Sequence, residues 1–264
     1  IETVMPNRLK VALDLERDEA EILRASNPDC ARIGSACDDR LRIQGTLFGQ
    51  WLNGATASGL KADVKMRLIP ARTRFDRYAD FAFEDPAREF ASEQQDLFVG
   101  ELDEKGYARI DRKLDAIEAA PGMLTASFTS RIFERGGAFS VAYTSHTLSP
   151  YSRYVGLKLP KGDAARNMLL TDVEHTVELA GLTEGGAPTN IDEVEVTLYK
   201  VDWKWWWDKS GDSLAQYAQR SHSSVVQQDT VKIAQGKGEW KFEIKYPAWG
   251  RYLVRVCDTR GGHC

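Results

Sequence analysis

The stretch GATASGLKADVKMRL, residues 54–68, decides the fold class. It opens on a Gly-Ala turn and runs into a segment where Val64, Met66 and Leu68 alternate with Lys65 and Arg67. Successive side chains of a strand point to opposite faces, so a period of two marks a strand with one buried and one wet face. GAPTNIDEVEVTL, residues 186–198, has the same form, with Val194, Val196 and Leu198 alternating with Glu195 and Thr197. Outward from these two, the period recurs in RLKVALDL (Leu9, Val11, Leu13, Leu15) and in KFEIKY (Phe242, Ile244, Tyr246). One wet face per strand is the habit of antiparallel sheets. Helical patterns are short: two turns over Glu16–Arg24, and a piece that Asp212 would cap, running to Arg220.

The matched pair belongs to a longer repeat. ETVMPNRLKV at the start and HTLSPYSRYVGLKL from His146 both read strand end, proline, polar link, new strand, with Pro6 and Pro150 in matching places. Proline cannot donate to a sheet ladder and suits such a joint. PGMLTASFTSRIFERGG (121–137) pairs with PAWGRYLVRVCDTRGG (247–262). Three matched features in one order predict two copies of an all-β unit of about seven strands, as tandem antiparallel sandwiches of immunoglobulin or fibronectin III style. The expected domains are 1–149 and 150–264. Ile1–Val4 reads as the tail of a preceding unit. AFSVAYTSHTL closes the first copy, and its counterpart is expected to be missing from the second. The chain opens without an initiator methionine and reads as a piece of a longer array.

With 264 residues, 42% apolar and 28% charged, each half can hold its own core. The formal charge is −4 and the pI about 5.7. Lysine, arginine, aspartate and glutamate alternate along the chain, which argues against a nucleic-acid partner. No apolar run reaches the ~20 residues of a membrane helix, so no membrane contact is expected of this segment.

The four cysteines form two C-x6-C pairs, Cys30 with Cys37 and Cys257 with Cys264, in glycine-bearing polar stretches. Local disulfides, free thiols and a metal site all fit such spacing. Zinc sites normally bring C-x2-4-C and further ligands, which are lacking here. As disulfides the pairs would close short loops, contribute about 2–3 kcal/mol each, and indicate an oxidising compartment.

Four of the seven tryptophans crowd into KVDWKWWWDKSGD (200–212), as Trp203, Trp205, Trp206 and Trp207. By alternation Trp203 and Trp205 share a face with Tyr199 and Val201, while Trp206 lies with Asp202 and Lys204. Val194, Val196 and Leu198 lie in the register of Asp202, so either the buried face switches at a bulge near Tyr199 or both faces are covered. One buried indole is worth about 4–6 kcal/mol. The cluster reads as interdomain or intradomain packing, as an exposed protein-binding surface, or as a sugar-stacking platform.

No catalytic constellation stands out. His175 sits in period with Val177 and Leu179 as a half-buried strand histidine. His146 lies near the domain joint, where a polar interface role is expected. His222 and His263 fall in polar stretches expected to move. H-E-x-x-H, G-x-S-x-G and a phosphate loop are absent from the sequence, as is any cofactor motif. Asp14, Glu16, Asp18, Glu19 and Glu21 lack the glycine of a calcium loop and read as solvated surface. No enzyme activity, metal or cofactor is assigned.

Four phrases resemble a known family. WLNGATASGLKADV (51–64), LPKGDAARNMLLTD (159–172), VTLYKVDWKWWWD (196–208) and YPAWGRYLVRVCDTRGGHC (246–264) resemble the bacterial α2-macroglobulins of the enterobacterial periplasmic type. The resemblance covers nearly the whole chain, and the tryptophan phrase is its most specific part. It implies macroglobulin β-sandwiches from the middle of a large broad-spectrum protease trap. In that family a protease cuts a bait segment, the molecule rearranges, and a Cys-Glx thioester tethers the attacker. It further implies neighbouring macroglobulin domains, host or competitor proteases as partners of the full-length parent, and a periplasmic lipoprotein anchored to the inner membrane. C-x-E-Q does not occur in this sequence. The nearest approach to a bait is FDRYADFAFEDPAREFASEQQ (75–95), read as an excursion within the first domain. An alternative function is an immunoglobulin-like adhesin, or a carbohydrate- or protein-binding module using Trp203–Trp207.

Overall fold

The period of two becomes strands almost everywhere it occurs. The structure, a computed structural model, describes residues 7–16, 42–113, 117, 119–201 and 225–264, with the backbone of Leu23 and Arg24. The chain divides into two compact units. Ile1–Ala71, Ala91–Glu118 and Leu124–Pro150 form the first; Arg72–Phe90, Ala119–Met123 and Tyr151–Cys264 form the second.

The first unit holds β1 (Leu9–Leu15), β2 (Leu23–Arg24), β3 (Arg42–Trp51), β4 (Lys61–Pro70), β5 (Gln95–Glu101), β6 (Tyr107–Lys113), β7 (Leu124–Phe133) and β8 (Phe139–Ser149). One sheet has the order β1-β3-β6, the other β2-β8-β7-β4-β5. Leu9, Leu13, Ile43, Leu47 and Ile110 line the first inner face; Val64, Met66, Leu68, Phe128 and Ile132 line the second. Burying such a side chain is worth about 1.5–3 kcal/mol. Gly137, at φ 87°, supplies the left-handed residue of the β7–β8 turn. Asn7 holds the entry to β1, its amide donating to the Val141 carbonyl (2.9 Å) and accepting from the Val141 N–H (3.1 Å). Asp63 lies on the outer face of β4, yet is only 8% exposed. Arg131 faces it across the β4–β7 ladder, donates to both its oxygens and lies over the rings of Phe133 and Phe139.

The second unit holds β9 (Arg153–Lys158), β10 (Glu174–Thr183), β11 (Ile191–Val201), β12 (Val225–Ile233), β13 (Lys237–Glu243) and β14 (Arg251–Asp258). Its sheets run β13-β10-β9 and β12-β11-β14. Renumbered in order, these are the first unit's β6-β3-β1 and β5-β4-β7. The matched stretches 54–68 and 186–198 therefore lead into equivalent strands, β4 and β11, and 121–137 and 247–262 into β7 and β14. Among the described residues nothing in the second unit takes the place of β8. Val177, Leu179, Val194, Val196, Leu198, Trp240 and Phe242 belong to its core.

At Tyr199 a bulge does occur, but its extra residue, Val226, belongs to β12. β11 keeps an unbroken register with β14 through Val201, so the buried face of β11 does not switch there. The tryptophan stretch beyond lies outside the described residues. The β11–β12 register shifts between Leu198 and Tyr199, and Val196, Thr197 and Leu198 are buried in succession. Three further details differ from expectation. β13 stops at Glu243, so Ile244 is buried but Tyr246, 71% exposed, has left the sheet. Leu23 and Arg24 pair with β8 as a strand where helical turns were expected. The excursion within 75–95 supplies residues 75–90 to the second unit, because Phe75 packs beside both Tyr154 and Phe83.

Candidate functional site

Of the residues singled out from sequence, Cys257 and Cys264 are joined as a disulfide with Cα atoms 4.0 Å apart. Cys30 and Cys37, Trp203, Trp205, Trp206 and Trp207, His222, and the expected helix from Asp212 lie outside the described residues. His146 sits on β8 in the first unit. His175 is half-buried on β10 as expected, its Nε2 2.8 Å from the Leu170 carbonyl.

The densest polar cluster lies inside the second unit and centres on His263. Sequence placed this residue in a mobile polar stretch. In the structure it is 0% exposed, because three elements converge on it. β14 ends at Asp258, and a turn brings the chain back so that the Asp258 N–H donates to the His263 carbonyl (2.8 Å) and the Gly262 N–H to the Asp258 carbonyl (2.9 Å). Arg153 on β9 grips the Asp258 carboxylate through two hydrogen bonds of 2.9 and 3.1 Å. The disulfide then ties the last residue of the turn to β14. The imidazole points inward between β9 and the strap formed by residues 72–90. Val155 N–H donates to Nδ1 (3.1 Å), which leaves Nε2–H to donate to the Phe83 carbonyl (2.9 Å). Tyr151 and Tyr154 flank the ring, centroids 5.1 and 4.6 Å away.

The strap is anchored along its length. Ala82 and Leu157 exchange backbone hydrogen bonds of 2.8 and 3.0 Å, and the Asp85 N–H donates to the Pro121 carbonyl. Thr73 accepts from the Met123 N–H (2.8 Å). The Phe83 ring lies over β9 where residue 156 is glycine; a Cβ there would stand 2.6 Å from Phe83 Cζ. Asp85, its side chain 2% exposed, takes Arg255 of β14 at 2.8 Å and Arg88 at 3.4 Å. Arg88 also donates to the Ala120 carbonyl (3.2 Å), the Tyr151 hydroxyl (2.6 Å), the Gly262 carbonyl (2.8 Å) and Cys264 Sγ (3.1 Å). Tyr151 in turn donates to the Ala120 carbonyl (2.6 Å). A cleft of about 40 Å³ beside Asp85, Arg255 and Cys264 has room for a few water molecules at most.

The electrostatics fit a clasp. Burial pushes the His263 imidazole down to about 3, reinforced by the Arg88 charge and only partly offset by the Phe83 carbonyl. The ring is thus neutral near pH 7, with both nitrogens occupied, and has no proton to exchange with a substrate. Burial raises the Tyr151 phenol, opposed by Arg88. Among the described residues no group of three or more histidines, cysteines, aspartates or glutamates is arranged to hold a metal.

Residues 35–146 match the bacterial α2-macroglobulin MG5 domain, and residues 156–264 match bacterial macroglobulin domain 6. Trypsin-activated α2-macroglobulin from Escherichia coli superposes with a TM-score of 0.61 at 17% identity, over 98% of this chain and 16% of that one. The E. coli protein activated by porcine elastase gives 0.56 at 18%, over 98% and 21%. Salmonella α2-macroglobulin reacted with methylamine gives 0.54 at 16%, over 98% and 16%. At these identities the likeness shows the fold, and the chain spans only about a sixth to a fifth of those proteins. No curated protein matches it in sequence. The two domain matches take in most of the chain, in the order and fold of the solved proteins: the chain belongs to the bacterial α2-macroglobulins, as a segment of β-sandwich macroglobulin domains.

Proposed function

We propose that the chain is a scaffolding segment of a broad-spectrum periplasmic protease inhibitor of the bait-and-trap kind. The observation that carries this reading is a fold shared over 98% of the chain with a protein whose structure was determined after activation by trypsin. The polar cluster points the same way: its neutral, doubly bonded histidine and paired carboxylates hold a strap in place. In this reading the parent meets proteases through a bait outside these residues, the segment carries that bait's neighbours, and a lipoprotein anchor holds the parent at the inner membrane.

The test uses the parent and the 264-residue chain side by side. Trypsin mixed with the intact parent should lose activity on large protein substrates while keeping it on small peptide esters. The 264-residue chain alone should leave both unchanged. A parent that leaves digestion of large substrates untouched removes the reading.

A further inference from the structure

The C-terminal turn of the second unit does two jobs that share one covalent bond. It carries His263, whose Nε2 reaches the Phe83 carbonyl, and it carries Gly262 and Cys264, which receive Arg88 at 2.8 and 3.1 Å. Both ends of the 83–88 part of the strap are thus held by a turn whose last residue is fixed only seven positions from where it started. The remaining anchors of that part, the Ala82–Leu157 backbone pair and the Asp85–Arg255 ion pair, do not run through the turn. We propose that the Cys257–Cys264 disulfide is a redox latch: closed, it seats His263 and clasps residues 83–88 at both ends; opened, it loosens those two ends while the Asp85–Arg255 pair and the sandwich stay in place.

The surroundings of the disulfide suit exchange. Both cysteines are half-buried rather than enclosed, and Cys264 borders the small cleft. The Arg88 guanidinium lies against Cys264 Sγ, and a neighbouring cation stabilises a thiolate and makes it the better leaving group. The reductant is a dithiol. One of its thiolates attacks Cys257 Sγ, the S–S bond breaks, and its electron pair leaves on Cys264 Sγ beside Arg88. The second thiol of the reductant, deprotonated, attacks the mixed disulfide and expels Cys257 as a thiolate, which takes up a proton. The reductant ends as its own disulfide, two electrons having passed to the cysteines. With Cys264 released, the turn gains conformations in which the imidazole is withdrawn from Phe83.

The experiment is hydrogen exchange, read by mass spectrometry, on the 264-residue chain with and without dithiothreitol. Because the sequence holds two further cysteines, Cys30 and Cys37, the comparison is repeated in Cys30→Ser/Cys37→Ser. Reduction should speed exchange of the peptide spanning residues 83–88 about tenfold or more, as expected of local opening. Peptides from β10 should be unchanged, and re-oxidation should restore protection. A Cys257→Ser/Cys264→Ser chain should show the faster strap without reductant and ignore its addition. Unchanged strap exchange on reduction, a parallel rise in β10, or failure of the serine variant to fold would each overturn the latch, the last two by making the disulfide a general stabiliser.

Discussion

Burial of a neutral histidine ties the stability of the second unit to pH in a calculable way. In an unfolded chain the His263 imidazole titrates at the ordinary 6.5; in the folded chain it titrates at about 3. The unfolded state therefore binds the extra proton first as pH falls. Stability is complete above 6.5, declines between 6.5 and about 3, and levels off below. At about 1.36 kcal/mol per unit, the loss from this residue alone reaches about 2 kcal/mol by pH 5 and about 3 kcal/mol by pH 4. His263→Gln replaces the ring with a neutral donor and acceptor that does not titrate. At pH 7 it should be the less stable chain by about 1–3 kcal/mol, since it packs less well between Tyr151 and Tyr154 and leaves the Val155 N–H or the Phe83 carbonyl poorly paired. Between pH 7 and pH 4 that deficit should shrink by about 3 kcal/mol, bringing the two chains level or reversing their order. Other groups titrate identically in both chains and cancel in the difference. Urea unfolding at several pH values, followed through exchange-labelled peptides of β10, measures it in the right unit. A difference that stays constant from pH 7 to pH 4 would refute the burial of a neutral imidazole.

Three further substitutions probe the same unit. Asp85→Ala leaves Arg255 and Arg88 without their buried carboxylate and should cost about 3–5 kcal/mol in urea unfolding, part of which Arg255→Met in the same chain should recover. Gly156→Ala drives a methyl into the Phe83 ring and should cost about 1–3 kcal/mol, with Phe83→Leu relieving some of it; additive effects in that double-mutant cycle would contradict the contact. Trp240→Phe removes the indole N–H that donates to Asp229 at 2.7 Å. That bond, followed by one from Gln227, holds the Asp229 carboxyl below the usual range. Its contribution is present above the ordinary aspartate pKa and lost as pH falls through the depressed value, so Trp240→Phe should be less stable at pH 7 and lose less on acidification.

The repeat was legible because it is written in local signals. A Gly-Ala turn followed by alternation specifies a strand and its inward face without reference to anything distant, and the same order of signals produced the same order of strands in β1, β3–β7 and in β9–β14. The bulge beside Tyr199 was expected in β11 from the change of alternation and falls instead in β12, at Val226, because alternation along one strand says nothing about which partner carries the extra residue. Tyr246 misled because alternation says nothing about where pairing stops. Asp63 was hidden because its partner Arg131 comes from the neighbouring strand β7 and is itself backed by the rings of Phe133 and, on β8, Phe139.

The His263 clasp was invisible for a deeper reason of the same kind. Its two hydrogen-bond partners lie 108 and 180 residues away along the chain, and a histidine in RGGHC carries no mark of them. One signal was available. In FAFEDPAREF, Phe81, Phe83, Asp85 and Ala87 keep a period of two, and Phe83, Asp85 and Ala87 are all buried. A carboxylate on the apolar face of such a run needs a cation from elsewhere in the fold, and Arg255, on a strand of its own, is that cation. The same burial bears on the bait. A protease must draw an extended segment into its cleft, whereas Thr73, Phe75, Phe83, Asp85 and Ala87 are all held inside the second unit. Cleavage at the strap would first have to undo those anchors, so under the proposed function any bait is expected elsewhere than here.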